Sequence, residues 1–81
     1  MPLEEFFKMM ATALNLPTEK NLSLDTRLSD IWDSLGQIMV LSMLSDNFKV
    51  TLEMNELISV KTIKDILDIL KSRNITIVDD K

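Results

Sequence analysis

The sequence predicts a small all-α fold: a four-helix bundle with three longer helices, one short helix and a long loop between the first and second. Three observations carry this. The chain has 81 residues, room for one domain with a small core. It holds one Gly and two Pro, too few for the turns of an all-β design. Its apolar content of 46% argues against wholesale disorder, and the apolar residues recur at helical spacing.

The first helix is expected over residues 2–14. Pro2 suits the first helical position, and Glu4 and Glu5 suit the positive end of the helix dipole. Leu3, Phe6, Phe7, Met10, Ala13 and Leu14 share one face, and Asn15 and Pro17 stop it. A long connection over 15–33 follows, alternating turn formers with the single apolar anchors Leu16, Leu22, Leu24, Leu28, Ile31 and Trp32. Loops of this length in compact domains are often functional, and the anchors imply one pinned to the core.

The second helix is expected over 34–48, with Leu35, Ile38, Leu41, Leu44, Ser45 and Phe48 on one face, widened by Met39, Val40 and Met43. It is almost apolar all round until Asp46, which implies deep burial or an apolar patch for a partner. After an extended stretch at Val50, Thr51 and Leu52, residues 53–57 form a short third helix. Ser59 is expected to cap the fourth, whose core positions are Val60, Ile63, Ile66, Leu67 and Leu70. Lys71 and Arg73 suit its C-terminal dipole, and Asn74 ends it. Residues 1–74 make the domain. The tail 75–81 opens with an apolar, β-branched stretch whose order the sequence does not decide.

The chain has no Cys and no His, so zinc, haem and nucleophilic triads lose their commonest ligands and bases, and no metal site is expected. The longest apolar run, 38–41, is far short of a membrane span. The N-terminus lacks the basic-then-apolar order of a signal peptide. A monomeric, cytoplasmic protein is the expectation. The net charge of −4 is uneven: residues 1–33 carry −3, 34–60 carry −2 and 61–81 carry +1. An acidic chain repels nucleic acid and is steered toward basic protein surfaces. Acidity also simply keeps a small domain soluble.

Ser34 stands where the loop meets the second helix, in Trp32-Asp33-Ser34-Leu35-Gly36. A small hydroxyl residue there turns its oxygen toward solvent at the positive end of a helix dipole, a good place for a phosphate on a covalent arm. Taken alone, Asp-Ser-Leu also reads as a helix cap in which Ser34 or Asp33 satisfies free amides.

The tripeptide Asp33-Ser34-Leu35 precedes an apolar helix ending at Phe48. Before it comes Asp25-Thr26-Arg27-Leu28-Ser29-Asp30-Ile31, and later Ile58-Ser59-Val60-Lys61-Thr62-Ile63. In these segments and in element order, over residues 3–72, the chain resembles the acyl carrier proteins, small four-helix proteins that hold acyl groups as thioesters. The resemblance implies that Ser34 carries 4′-phosphopantetheine, donated from coenzyme A by a phosphopantetheinyl transferase. It implies that Asp33 helps hold magnesium in the transferase complex, and that Leu35 docks on partners. It also implies no catalysis by the chain itself, and as partners an acyl- or aminoacyl-loading enzyme and an acyltransferase or synthase.

The family's acyl cavity maps onto Leu28, Leu41, Leu44, Leu52, Leu57, Val60, Ile66 and Leu67, each of which also reads as ordinary core. Leu57 and Ile66 stand where fatty-acid carriers often have smaller residues, so a tighter cavity and a short or polar cargo are expected. The family's acids along the second helix are missing here, and Met39 and Met43 suggest recognition by apolar contact. Trp32 and Gly36 look more like discrete carriers of specialised pathways than of general fatty acid biosynthesis. The other readings are a peptidyl or aminoacyl carrier, D-alanyl included, and an unmodified helical interaction module.

Overall fold

The computed structural model describes residues 1–78; the last part of the tail, 79–81, lies outside the described residues. Among the described residues it contains four α-helices: α1 (Leu3–Ala13), α2 (Ser34–Phe48), α3 (Met54–Ser59) and α4 (Ile63–Ser72). A 3₁₀ turn at Leu28–Asp30 breaks the long α1–α2 connection. No described helix is long and apolar enough to cross a membrane.

Leu3, Phe6 and Met10 bury the inner face of α1, with Ala11 rather than the expected Ala13 beside them. Phe6 meets Phe48 at the far end of α2, ring centroids 6.3 Å apart and tilted by 40°, a favoured aromatic geometry. Pro2 is the N-cap of α1, just outside the helix.

Asn15 and Asn74 end α1 and α4 as expected, by the same device. Each has a positive φ, 57° and 69°, which Asn tolerates better than most residues. The Leu16 N–H reaches the Ala11 carbonyl at 2.8 Å and the Asn15 N–H that of Thr12 at 3.2 Å. At α4 the Ile75 N–H reaches Leu70 at 2.9 Å and the Asn74 N–H reaches Lys71 at 3.0 Å. Both are Schellman closures, and the residues just past them, Leu16 and Ile75, pack against the core.

Two helices differ from expectation, α2 in its buried face and α4 in its cap. In α2 the fully buried residues are Val40 and Leu44; Leu35, Ile38, Met39 and Ser45 are exposed. A helix apolar on nearly every side has no polar face to mark the outside, so its rotation is set by what packs against it. In α4, Ile63, Ile66 and Leu70 are buried as expected, but the cap is Thr62 rather than Ser59. Ser59 is the last residue of α3, where its hydroxyl donates to the Glu56 carbonyl at 2.7 Å. The Asp65 carboxylate closes the α4 start by accepting from the Lys61 and Thr62 N–H groups at 2.9 and 3.2 Å. The third helix starts one residue after its expected start and ends two residues beyond its expected end, at Ser59, and Glu53 stands before it as the cap.

The long loop is pinned by hydrogen bonds as well as by its apolar anchors. Two N-terminal amides of α4, those of Ile63 and Lys64, donate to the loop carbonyls of Thr26 and Leu24 at 3.3 and 3.1 Å. The Leu28 N–H donates to the Lys61 carbonyl at 2.9 Å. Donors that a helix start leaves free are thus spent on holding the loop. Leu22 and Leu28 are buried beneath it. The tail packs back: Ile75 and Ile77 lie against the core, and Val78 pairs with the N-terminal segment, its carbonyl accepting from the Leu3 N–H at 2.7 Å.

Candidate functional site

Ser34 is the first residue of α2 and is exposed. The 3₁₀ turn delivers it: the Ile31 and Trp32 N–H groups both reach the Leu28 carbonyl at 3.0 Å, and Leu28 is anchored in the core. The cap is Asp33, whose Oδ1 accepts from the Gly36 N–H at 2.9 Å. Of the two capping alternatives the structure takes Asp33. The Ser34 hydroxyl has no hydrogen-bond partner among the described residues and is free for chemistry. The first turn of α2 contains no acidic residue, so its remaining N–H groups and dipole favour an anion on Ser34.

Gly36 lets this junction close. A Cβ built there would stand 2.8 Å from Trp32 Cβ and 2.9 Å from Leu14 Cδ2. The loop, the end of α1 and the first turn of α2 therefore meet with no space for a methyl group. Trp32 is half-buried against the core, and its indole lies at the edge of a groove beside Ser34.

Leu35 is the most exposed large apolar residue at 65%, followed on the same helix by Ile38 at 52% and Met39 at 46%. At positions i, i+3 and i+4 these form one stripe. Met54 and Ile58 of α3 are exposed too. Met43 is half-buried and packs against the core. Of the two alternatives that the uniformly apolar composition of α2 leaves open, deep burial or an exposed patch, Ile38 takes the second.

The eight candidate cavity residues come together. Leu28, Leu44, Leu57 and Ile66 are fully buried in one cluster, Leu52 is nearly so, and Leu41, Val60 and Leu67 pack against it half-buried. Leu41 and Leu52 also line an open groove with Ile38, Ser42 and Val50. Among the described residues no three acids or other ligand side chains group to hold a metal ion, so Asp25, Asp30 and Asp33 do not cluster.

Two carboxylates are held below their ordinary range. Glu56 is lowered chiefly by the Glu53 N–H, and further by Arg73, whose guanidinium meets it at 2.6 Å. Asp65 is lowered by the Lys61 and Thr62 N–H groups. Both lie at helix starts away from Ser34 and serve the frame rather than the site.

A search of curated proteins finds none that matches the chain. A family model described as "Phosphopantetheine attachment site" matches residues 4–70. That span runs from the first turn of α1 to the last turn of α4 and includes the free serine at the head of α2. Domains of this kind are generally carriers rather than catalysts. The exposed, unbonded hydroxyl at a helix N-terminus fits the group such domains hold, a phosphodiester-linked arm. The chain belongs to the phosphopantetheine attachment site family, a carrier of covalently bound 4′-phosphopantetheine.

Proposed function

We propose that Ser34 is the attachment residue and that the protein carries acyl groups for a specialised pathway. The observation that carries this is the division of labour at the head of α2: Asp33 takes the capping bond and leaves the Ser34 hydroxyl exposed. In the loading step the Ser34 Oγ–phosphorus bond forms and the pyrophosphate P–O bond of coenzyme A breaks. Adenosine 3′,5′-bisphosphate leaves, and the hydroxyl proton passes to a base of the transferase. The bound group supplies a terminal thiol that holds cargo as a thioester. This chain's residues would orient it: the Leu28-anchored turn fixes the start of α2, and amides left free at that helix start would stabilise the phosphate.

Leu35 and Met39, with Ile38 between them, offer partner enzymes an apolar stripe beside the arm, and the half-buried Met43 adds the part of its side chain that stays outside the core. Asp33 is exposed beside Ser34, positioned to help hold magnesium in the transferase complex. The partners are that transferase, a loading enzyme and an acyltransferase or synthase.

Incubation with a phosphopantetheinyl transferase, magnesium and coenzyme A should raise the intact mass by one phosphopantetheine. Ser34→Ala should remain folded and show no gain. A folded parent protein that gains nothing, with Ser34→Ala functional in the cell, would instead identify an unmodified interaction module.

A further inference from the structure

A run of hydrogen bonds leads from the first turn of α4 to the turn that delivers Ser34. One oxygen of Asp65 accepts from the Lys61 and Thr62 N–H groups, at 2.9 and 3.2 Å. Among the described residues these two donors have no other acceptor. The Thr62 N–H and the Lys61 carbonyl belong to one peptide group, and that carbonyl accepts from the Leu28 N–H at 2.9 Å. A bond at one end of a peptide group polarises and orients the other end. The Leu28 carbonyl in turn accepts from the Ile31 and Trp32 N–H groups at 3.0 Å. Asp33 and Ser34 follow directly, and Asp33 fastens the segment to α2 through the Gly36 N–H.

Resting on the reading that Ser34 is the attachment residue, we propose that Asp65 is a positioning residue for its loading. Asp65 belongs to the frame and acts on Ser34 through it, by holding the Lys61–Thr62 peptide group on which Leu28 hangs. Without that carboxylate two donors lose their acceptor, and the loop keeps a less firmly held anchor. Ser34 then divides its time among several placements. Transfer needs the Oγ in line with the phosphorus, so only part of the population is competent. Apparent affinity for the transferase falls in proportion to that part. Glu56 is the matched comparison. It closes the start of α3 by accepting from the Glu53 N–H at 2.9 Å and pairs with Arg73, but none of its hydrogen bonds reaches the long loop.

The test is the kinetics of loading by a phosphopantetheinyl transferase with magnesium and coenzyme A, well below each variant's melting temperature. Asp65→Ala should raise KM for the carrier about five-fold, as the competent fraction falls to about one fifth, with kcat close to the parent's. Asp65→Asn keeps an acceptor oxygen and should recover part of the loss. Glu56→Ala should leave both constants unchanged. Amide hydrogen exchange at Leu28, Ile31 and Trp32 should quicken in Asp65→Ala and not in Glu56→Ala. A folded parent that gains no phosphopantetheine overturns the attachment reading and this inference with it. A parent that loads, with KM unmoved by Asp65→Ala or raised equally by Glu56→Ala, overturns the inference alone. Should Asp65→Ala fail to fold, Asp65→Asn against Glu56→Gln decides: a rise in KM with Asp65→Asn alone supports the inference, and equal KM values overturn it.

Discussion

Replacing Gly36 by Ala sets two opposed effects against each other at the third residue of α2. Inside a helix, Ala is favoured over Gly by about 1 kcal/mol, and Gly36 does not use a positive φ, so its backbone suits Ala. Against this, the new methyl would stand 2.8 Å from Trp32 Cβ and 2.9 Å from Leu14 Cδ2. The Leu14 methyl ends a flexible side chain and can rotate away. Trp32 Cβ is bonded to the backbone, so relief there needs movement of the segment that delivers Ser34. Overpacking of this kind costs about 1–3 kcal/mol, and the balance is a net loss of about 1 kcal/mol. With a urea slope near 1 kcal/mol/M, the lower end for small proteins, the midpoint should fall by about 1 M. Trp32 emission, followed in the same titration, should already differ in the native baseline because the indole is displaced. Leu14→Ala in the Gly36→Ala background should recover less than the whole loss, since it relieves only one of the two contacts. A Gly36→Ala midpoint equal to or above the parent's would refute the reasoning, showing that helix propensity outweighs the crowding.

Other perturbations separate the frame from the site. Asp33→Ala should cost about 1 kcal/mol through loss of the cap, whereas Ser34→Ala should change stability by less than about 0.5 kcal/mol; equal effects in urea melts would contradict the assignment of the cap to Asp33. Lys49 closes α2 with a φ of 59°, a conformation that favours Gly, so Lys49→Gly should stabilise by up to about 1 kcal/mol; a lower melting temperature would count against this. Glu56 and Asp65 have lowered folded pKa values, so their contributions are full above the ordinary carboxylate range of about 4 and are lost as pH falls through the folded values. Stability should therefore drop in acid, and Glu56→Gln with Asp65→Asn should flatten that drop; an unchanged acid profile would show that other carboxylates control it.

Much of the site was legible because it depends on local chemistry. The stops at Asn15 and Asn74, the core spacing of α4 and the serine at the loop–helix junction each follow from what a residue can do with its own backbone neighbours. The start of α4 is not fixed by residue type, because Ser59 and Thr62 both suit a cap, and only the Asp65 bonds to Lys61 and Thr62 distinguish Thr62. The buried face of α2 is not legible in the sequence, because apolar residues at every third or fourth position are also present on the opposite side.

From the sequence by itself came an all-helical fold, the order of its elements and the serine proposed to carry the arm. Those are properties of composition, periodicity and short motifs. Tertiary structure decided which way α2 turns, leaving Leu35, Ile38 and Met39 outside. It decided that the long loop is held by the free amides of α4, and that Trp32, Leu14 and Gly36 lock together beneath Ser34. These depend on contacts between segments distant along the chain, where burial and hydrogen-bond satisfaction outweigh local preference.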